Sequence, residues 1–151
     1  DEGPAPNKII KTNPIGLAIG NINLTFEFAI SQAISFEVGA SYFNRLLGVD
    51  VSGFGADAGM RFYITNITKP APEGFYVGPR VAFSSLTNNE VSPSESFTTF
   101  GIGALLGYQW VFKSGVSLDL GAGPTYTTAS DGNSDATGVV PNITFAIGYA
   151  F

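Results

Sequence analysis

The sequence predicts an all-β protein, an eight-stranded antiparallel up-and-down β-barrel of the transmembrane kind. Three observations carry this. Apolar residues recur at every second position through one segment after another, the period of a strand with a single greasy face. Charged residues fill only 13% of the 151 positions, against ~25% in a typical soluble domain, while apolar content stays moderate at 44%. The face opposite the apolar one is mostly Gly, Ala, Ser and Thr, where the wet side of a soluble barrel would carry Lys and Glu.

Taken in order, residues 1–7 are acidic and Pro-rich and read as a tail, with 8–151 forming the barrel and an export signal expected to have been removed. From Lys8 a first strand is expected with Ile15, Leu17 and Ile19 on one face, breaking at Gly20-Asn21. Ile22, Leu24, Phe26, Phe28 and Ile30 then alternate with Asn23, Thr25, Glu27 and Ala29. Residues 31–33 reverse the chain, and Ile34, Phe36, Val38, Ala40 and Tyr42 form the next apolar face. After a loop at 44–51 come Phe54, Ala56, Ala58, Met60, Phe62 and Ile64, with Arg61 and Tyr63 on the other side. Residues 66–74, with Pro70 and Pro72, read as a turn.

Phe75, Val77, Pro79, Val81 and Phe83 follow, Pro79 weakening that strand or marking a bulge. A polar stretch at 87–96 precedes the longest alternation, Phe100, Ile102, Ala104, Leu106, Tyr108, Trp110 and Phe112. A short turn at 113–115 leads into Val116, Leu118, Leu120, Ala122, Pro124 and Tyr126. A polar loop is expected at 129–141. In the closing strand Ile143, Phe145, Ile147, Tyr149 and Phe151 alternate with Thr144, Ala146, Gly148 and Ala150.

No apolar run approaches the ~18 residues of a membrane helix, so any spanning falls to strands, whose lengths fit the ~9–11 residues a tilted strand needs. An even strand number puts both termini at one end. With Phe151 in the periplasm, the turns near Gln32, Lys69 and Ser114 lie inside and the loops near Asn21, Gly48, Val91 and Ser134 outside. This gathers Lys8, Lys11, Lys69 and Lys113 at the inner end and Asp50, Glu90, Glu95, Asp131 and Asp135 at the outer one. Aromatic residues such as Phe28, Tyr42, Phe75, Trp110, Tyr126 and Tyr149 fall toward strand ends, as in interfacial girdles.

An aromatic-ended final strand of this kind resembles the last strand of small bacterial outer-membrane barrels of the OmpA transmembrane-domain and OmpX type. The resemblance covers nearly the whole chain and implies a bacterial outer-membrane location. It also implies contact with outer-membrane lipid and lipopolysaccharide, and an assembly signal at Phe151 and Tyr149 read by the barrel assembly machinery. It carries over no other residue role.

Reflecting each hairpin about its inner turn pairs Glu27 with Glu37, Arg61 with Arg80 and Gln109 with Asp119, all facing inward. They are expected in one lumenal layer, the acids neutralised by the guanidinium groups, with Asp57 about 13 Å higher at ~3.3 Å per residue. The layer reads either as polar filler of a lumen too narrow for a channel or as a gate.

With no histidine and no cysteine, His-based triads, thiol chemistry, disulfides and His or Cys zinc sites are excluded. Gly53 to Gly59 and Gly101 to Gly107 share a G-x-G-x-x-x-G spacing that superficially resembles nucleotide loops, but they sit on the inward face of strands and open no helix. The net charge of −5 argues against nucleic acid. No enzyme activity, cofactor or metal is expected. The reading is a structural barrel or an accessory subunit of a larger outer-membrane assembly. Passage of a small solute or apolar compound, and a soluble lipid-binding barrel, are the alternatives.

Overall fold

The computed structural model describes residues 5–44, 50–88, 95–130 and 135–151, with the backbone alone at 95 and 135. The expected loop tips at Gly48, Val91 and Ser134, residues 1–4 of the expected tail, and Glu90 and Asp131 lie outside these residues, as do the side chains of Glu95 and Asp135. Within them the elements are β1 (Lys8–Thr12), α1 (Pro14–Ala18), β2 (Asn21–Ala29), β3 (Ile34–Phe43) and β4 (Val51–Tyr63), then β5 (Gly74–Asn88), β6 (Glu95–Val111), β7 (Val116–Ser130) and β8 (Asp135–Ala150). The strands pair in sequence order, all antiparallel, and β1 closes on β8 as a barrel.

The wall is inside-out relative to a soluble domain. Leu24, Phe54, Val81, Phe100, Leu106 and Ile143 are exposed on it, and Phe26, Phe28 and Phe36 stack along its outer surface. The buried side chains include an unusual share of polar and charged ones, Lys11, Glu27, Ser35, Glu37, Arg61, Gln109, Ser117 and Asp119, beside the apolar Ile9, Tyr63, Tyr76 and Leu105. The short turns and both described termini share one end. There Asn7 N–H and Lys8 N–H donate to Phe151 O at 3.3 and 3.1 Å, and Ala71 N–H donates to Gln32 O at 2.8 Å.

Three expectations about the strands need correction. The first strand does not continue through Ile15, Leu17 and Ile19. It stops at Thr12, because Pro14 cannot donate to a ladder and Asn13 caps a helix instead, its side chain accepting from Ile15 N–H and Gly16 N–H. The chain returns to the wall through Gly20, which takes a positive φ of 101°.

Second, much of 87–96 and 129–141 is strand, so the β5–β6 and β7–β8 hairpins rise well beyond the expected loops. Thr, Ser and Gly at these positions break the apolar alternation without breaking the backbone ladder. Third, Pro79 makes no bulge. Gly59 lies opposite Arg80 and Phe62 opposite Val77, the same offset on both sides of the proline. Only local ladder pairs are lost there, and Pro124 leaves the same gap between β6 and β7.

Candidate functional site

The lower lumen holds one buried ionic cluster to which every strand from β1 to β7 contributes a polar side chain. Inward parity puts Glu27 on β2 directly opposite Glu37 on β3, and Gln109 on β6 opposite Asp119 on β7, as the hairpin reflections predict. Lys11 on β1 and Arg61 on β4 bind these groups together.

Lys11 Nζ lies 2.8 Å from Glu27 Oε1, 2.5 Å from Glu37 Oε2 and 3.0 Å from Asp119 Oδ2, and also donates to Gln109 Oε1 at 3.0 Å. The Arg61 guanidinium reaches Asp119 Oδ2 at 2.8 Å, Glu37 Oε1 at 3.1 Å and Glu27 Oε1 at 3.5 Å, with its carbon 3.8 Å above the Tyr76 ring. Two cations thus serve three carboxylates. Neutral donors complete the coordination: Tyr63 OH donates to Glu27 Oε2 at 2.5 Å, Tyr76 OH to Asp119 Oδ1 at 2.6 Å, and Ser35 Oγ also to Glu27 Oε2. Every oxygen of the three carboxylates therefore has a cation or hydroxyl beside it, which offsets much of the cost of burying them. Glu37 Oε2 meets Lys11 as an ion pair only, and Arg61 Nε and Nη1 make no hydrogen bond among the described residues.

β8 contributes space instead of charge. Ala146 stands opposite Asp119 and Gly148 opposite Lys11. A Cβ on Gly148 would lie 2.6 Å from Lys11 Cβ. In the same way Gly107 and Gly121 each leave only 2.5 Å between a notional Cβ and Tyr76 OH, so these inward glycines make room for the ring.

Below the cluster the lumen is stopped by protein. Residues between β4 and β5 fold back under the barrel, burying Ala71 and Pro72 beside Tyr63, Tyr76 and Leu105. Gln109 Nε2 fastens this segment, donating to Pro72 O at 2.7 Å and to Glu27 Oε1 at 2.8 Å.

Of the residues predicted for one layer, Glu27, Glu37, Arg61, Gln109 and Asp119 come together, while Arg80 does not join them. It stands opposite Gly59 instead of Arg61, because the long β4–β5 connection is asymmetric and a reflection about its middle misplaces the register. Arg80 pairs with Asp57 at 3.2 Å, a second and partly exposed ion pair separate from the cluster. Lys11, expected at the inner rim, is instead the central cation, because the strand it belongs to ends early and its parity turns it inward. The signal in the sequence was a charge imbalance: the expected layer set three acids, Glu27, Glu37 and Asp119, against two guanidinium groups. Tyr149 and Phe151 both lie on the outer surface at the end that holds the termini, Tyr149 opposite Ile10 and Val116.

A chamber of about 230 Å³ lies above the cluster. Lys11, Glu37, Arg61 and Asp119 form its floor, and Asn13, Asn21, Asn23, Asp57 and Arg80 are among its walls. A family model described as a protein of unknown function, DUF3575, matches residues 5–136. No curated protein and no solved structure matches the chain significantly.

Proposed function

Because the chain belongs to the DUF3575 family, whose description assigns no activity, we propose a function from the barrel alone: an integral outer-membrane protein with a non-enzymatic structural or accessory-subunit role. The closed eight-stranded antiparallel wall supports this reading. Its lumen is shut by the Lys11–Arg61 cluster and the segment beneath it. Outer-membrane lipid and lipopolysaccharide contact the wall, the barrel assembly machinery inserts the chain, and a larger outer-membrane protein is its working partner.

The observation that carries this reading is the distribution of the side chains. Isoleucine, leucine, valine and phenylalanine stand exposed around the wall while lysine, arginine and carboxylates are buried at the axis. In water each such exposed chain forgoes roughly 1.5–3 kcal/mol of burial, and in a bilayer it does not. A soluble lipid carrier needs the reverse arrangement, an apolar lumen around its ligand. Straight-through passage of a solute is disfavoured by a floor whose charges are all engaged.

The test is folding from urea into phosphatidylcholine vesicles. The folded protein is expected to float with the vesicles, to run differently on gels when unheated, and to add no steady conductance in a planar bilayer. Monodisperse protein in detergent-free buffer that stays at the bottom of the gradient would refute the membrane reading. For the accessory role, extraction from native membranes in mild detergent should yield a stoichiometric larger partner, and a bare monomer would remove it.

A further inference from the structure

The barrel wall is incomplete on one side. β1 pairs with β8 only from Ile9 opposite Ala150 to Thr12 opposite Ile147. Beyond Thr12, among the described residues, no strand stands between β2 and the upper part of β8, and the five-residue helix α1 lies in the gap against both. The exit of the chain is fastened by one side chain. Asn23 Oδ1 accepts from Asn13 N–H at 2.6 Å and from Thr12 Oγ1 at 3.1 Å, and Asn23 Nδ2 donates to Asn13 O at 3.2 Å.

The chamber lies directly behind this gap. Residues 142–146 of β8 line it consecutively, so it reaches the edge of the strand, left unpaired among the described residues, as well as its inward face. Peptide N–H and C=O groups at a strand edge are unfavourable in hydrocarbon unless something hydrogen-bonds to them. Beside them stands Asn21, whose Oδ1 is buried without a hydrogen-bond partner, flanked by Asn13 and Asn23, whose side chains are already bonded to the chain around them. The charges of the chamber are already matched, Arg80 with Asp57 and the floor acids with Lys11 and Arg61. Outside the gap the flanking residues are apolar and exposed: Ile15, Leu17, Ile22 and Ile143.

We propose that the gap between α1 and β8, with the amide-lined chamber behind it, binds the uncharged, hydroxyl-rich head of a bilayer amphiphile that enters sideways from the membrane. This rests on the membrane-spanning reading above. A charged phosphate head would have to break an existing ion pair, whereas a sugar-like head offers donors and acceptors to amides and strand edge alike. At about 230 Å³ the chamber is below the ~300 Å³ at which drug-sized ligands are enclosed, so it takes a head group while the acyl tail stays outside against Ile15 and Ile143.

The test uses the full chain in phosphatidylcholine nanodiscs, with the side-chain amides of asparagine followed by nitrogen-15 NMR. Dodecyl glucoside, whose single-sugar head the chamber can hold, should shift Asn21 and Asn23 saturably. Dodecylphosphocholine, with the same tail and a charged head, should not. Thr144→Phe, which fills the chamber from β8, should weaken the response about tenfold. Should that variant fail to fold, Asn21→Leu should weaken it in the same direction. Absence of a saturable shift, or equal responses to both amphiphiles, would overturn the proposal. Vesicle flotation separates the two failures: protein that floats but does not respond keeps the membrane reading and loses this site, and protein that does not float loses both.

Discussion

The Lys11 ammonium lies 3.0 Å from Asp119 Oδ2, joining β1 to β7 past the β8 strand that separates them in the wall, with the two residues 108 positions apart in the chain. That contact exists only in the closed barrel, which makes Lys11 a sensor of closure.

Replacing Lys11 by Met should therefore destabilise strongly. It leaves Glu27, Glu37 and Asp119 facing Arg61 alone, and breaking a buried ion pair on one side costs about 3–5 kcal/mol. Urea unfolding in lipid vesicles should show the midpoint falling for Lys11→Met, and recovering partly in Lys11→Met/Glu27→Gln, which removes one of the surplus charges.

Arg80→Ala should leave the barrel closed. Arg80 is bound to Asp57 above the floor, and the cluster that obstructs the axis holds without it. Planar-bilayer recordings should show no steady conductance for either the native chain or this variant. Steady conductance in the variant would identify Arg80 as part of a gate.

Gly78 and Gly123 each precede a proline at a gap in the ladder, and a Cβ there would lie 1.7 Å from Met60 O and 1.8 Å from Ala104 O. These are backbone atoms of the neighbouring strands and have no freedom to swing aside. Gly78→Ala and Gly123→Ala should each destabilise by about 1–3 kcal/mol, the usual range for overpacking. Gly138→Ala, where nothing lies within 4 Å, should leave the unfolding midpoint unchanged.

Asn13→Ala removes the helix cap and should cost about 1 kcal/mol locally. Asn23→Ala removes the bonds that fasten Asn13 to β2. Both should speed hydrogen exchange at the Ile19 and Leu17 amides, whose acceptors lie within α1 and its cap, while the β6 and β7 amides stay protected. Unchanged exchange in α1 would show that the helix is held by other contacts.

The two prolines and the one lysine show where sequence reading worked and where it stopped. Pro79 suggested a bulge, yet strand pairing on both sides fixes the register and the ladder absorbs the missing donor. Pro14 carried more information than it was given. Asn13-Pro14 is both a helix start and a strand stop, and reading it so would have ended β1 at Thr12 and freed Lys11 from the rim. The inward positions of Glu27, Glu37, Gln109 and Asp119 were legible because short turns leave little freedom in the register of β2–β3 and β6–β7. The Arg80 position was not, since the longer β4–β5 connection folds under the barrel and displaces the pairing.

By itself the sequence determined the strand period, the strand number, the lipid-like character of one face and the small, polar character of the other. Each of these follows from side-chain alternation, which is local and survives without knowledge of neighbours. Only the tertiary structure decided which cations meet which acids, that the wall is open above Thr12, and that a chamber lies behind the opening. Those depend on inter-strand register and on where the chain leaves the wall, and both are set by turn geometry and by contacts between residues distant in the chain.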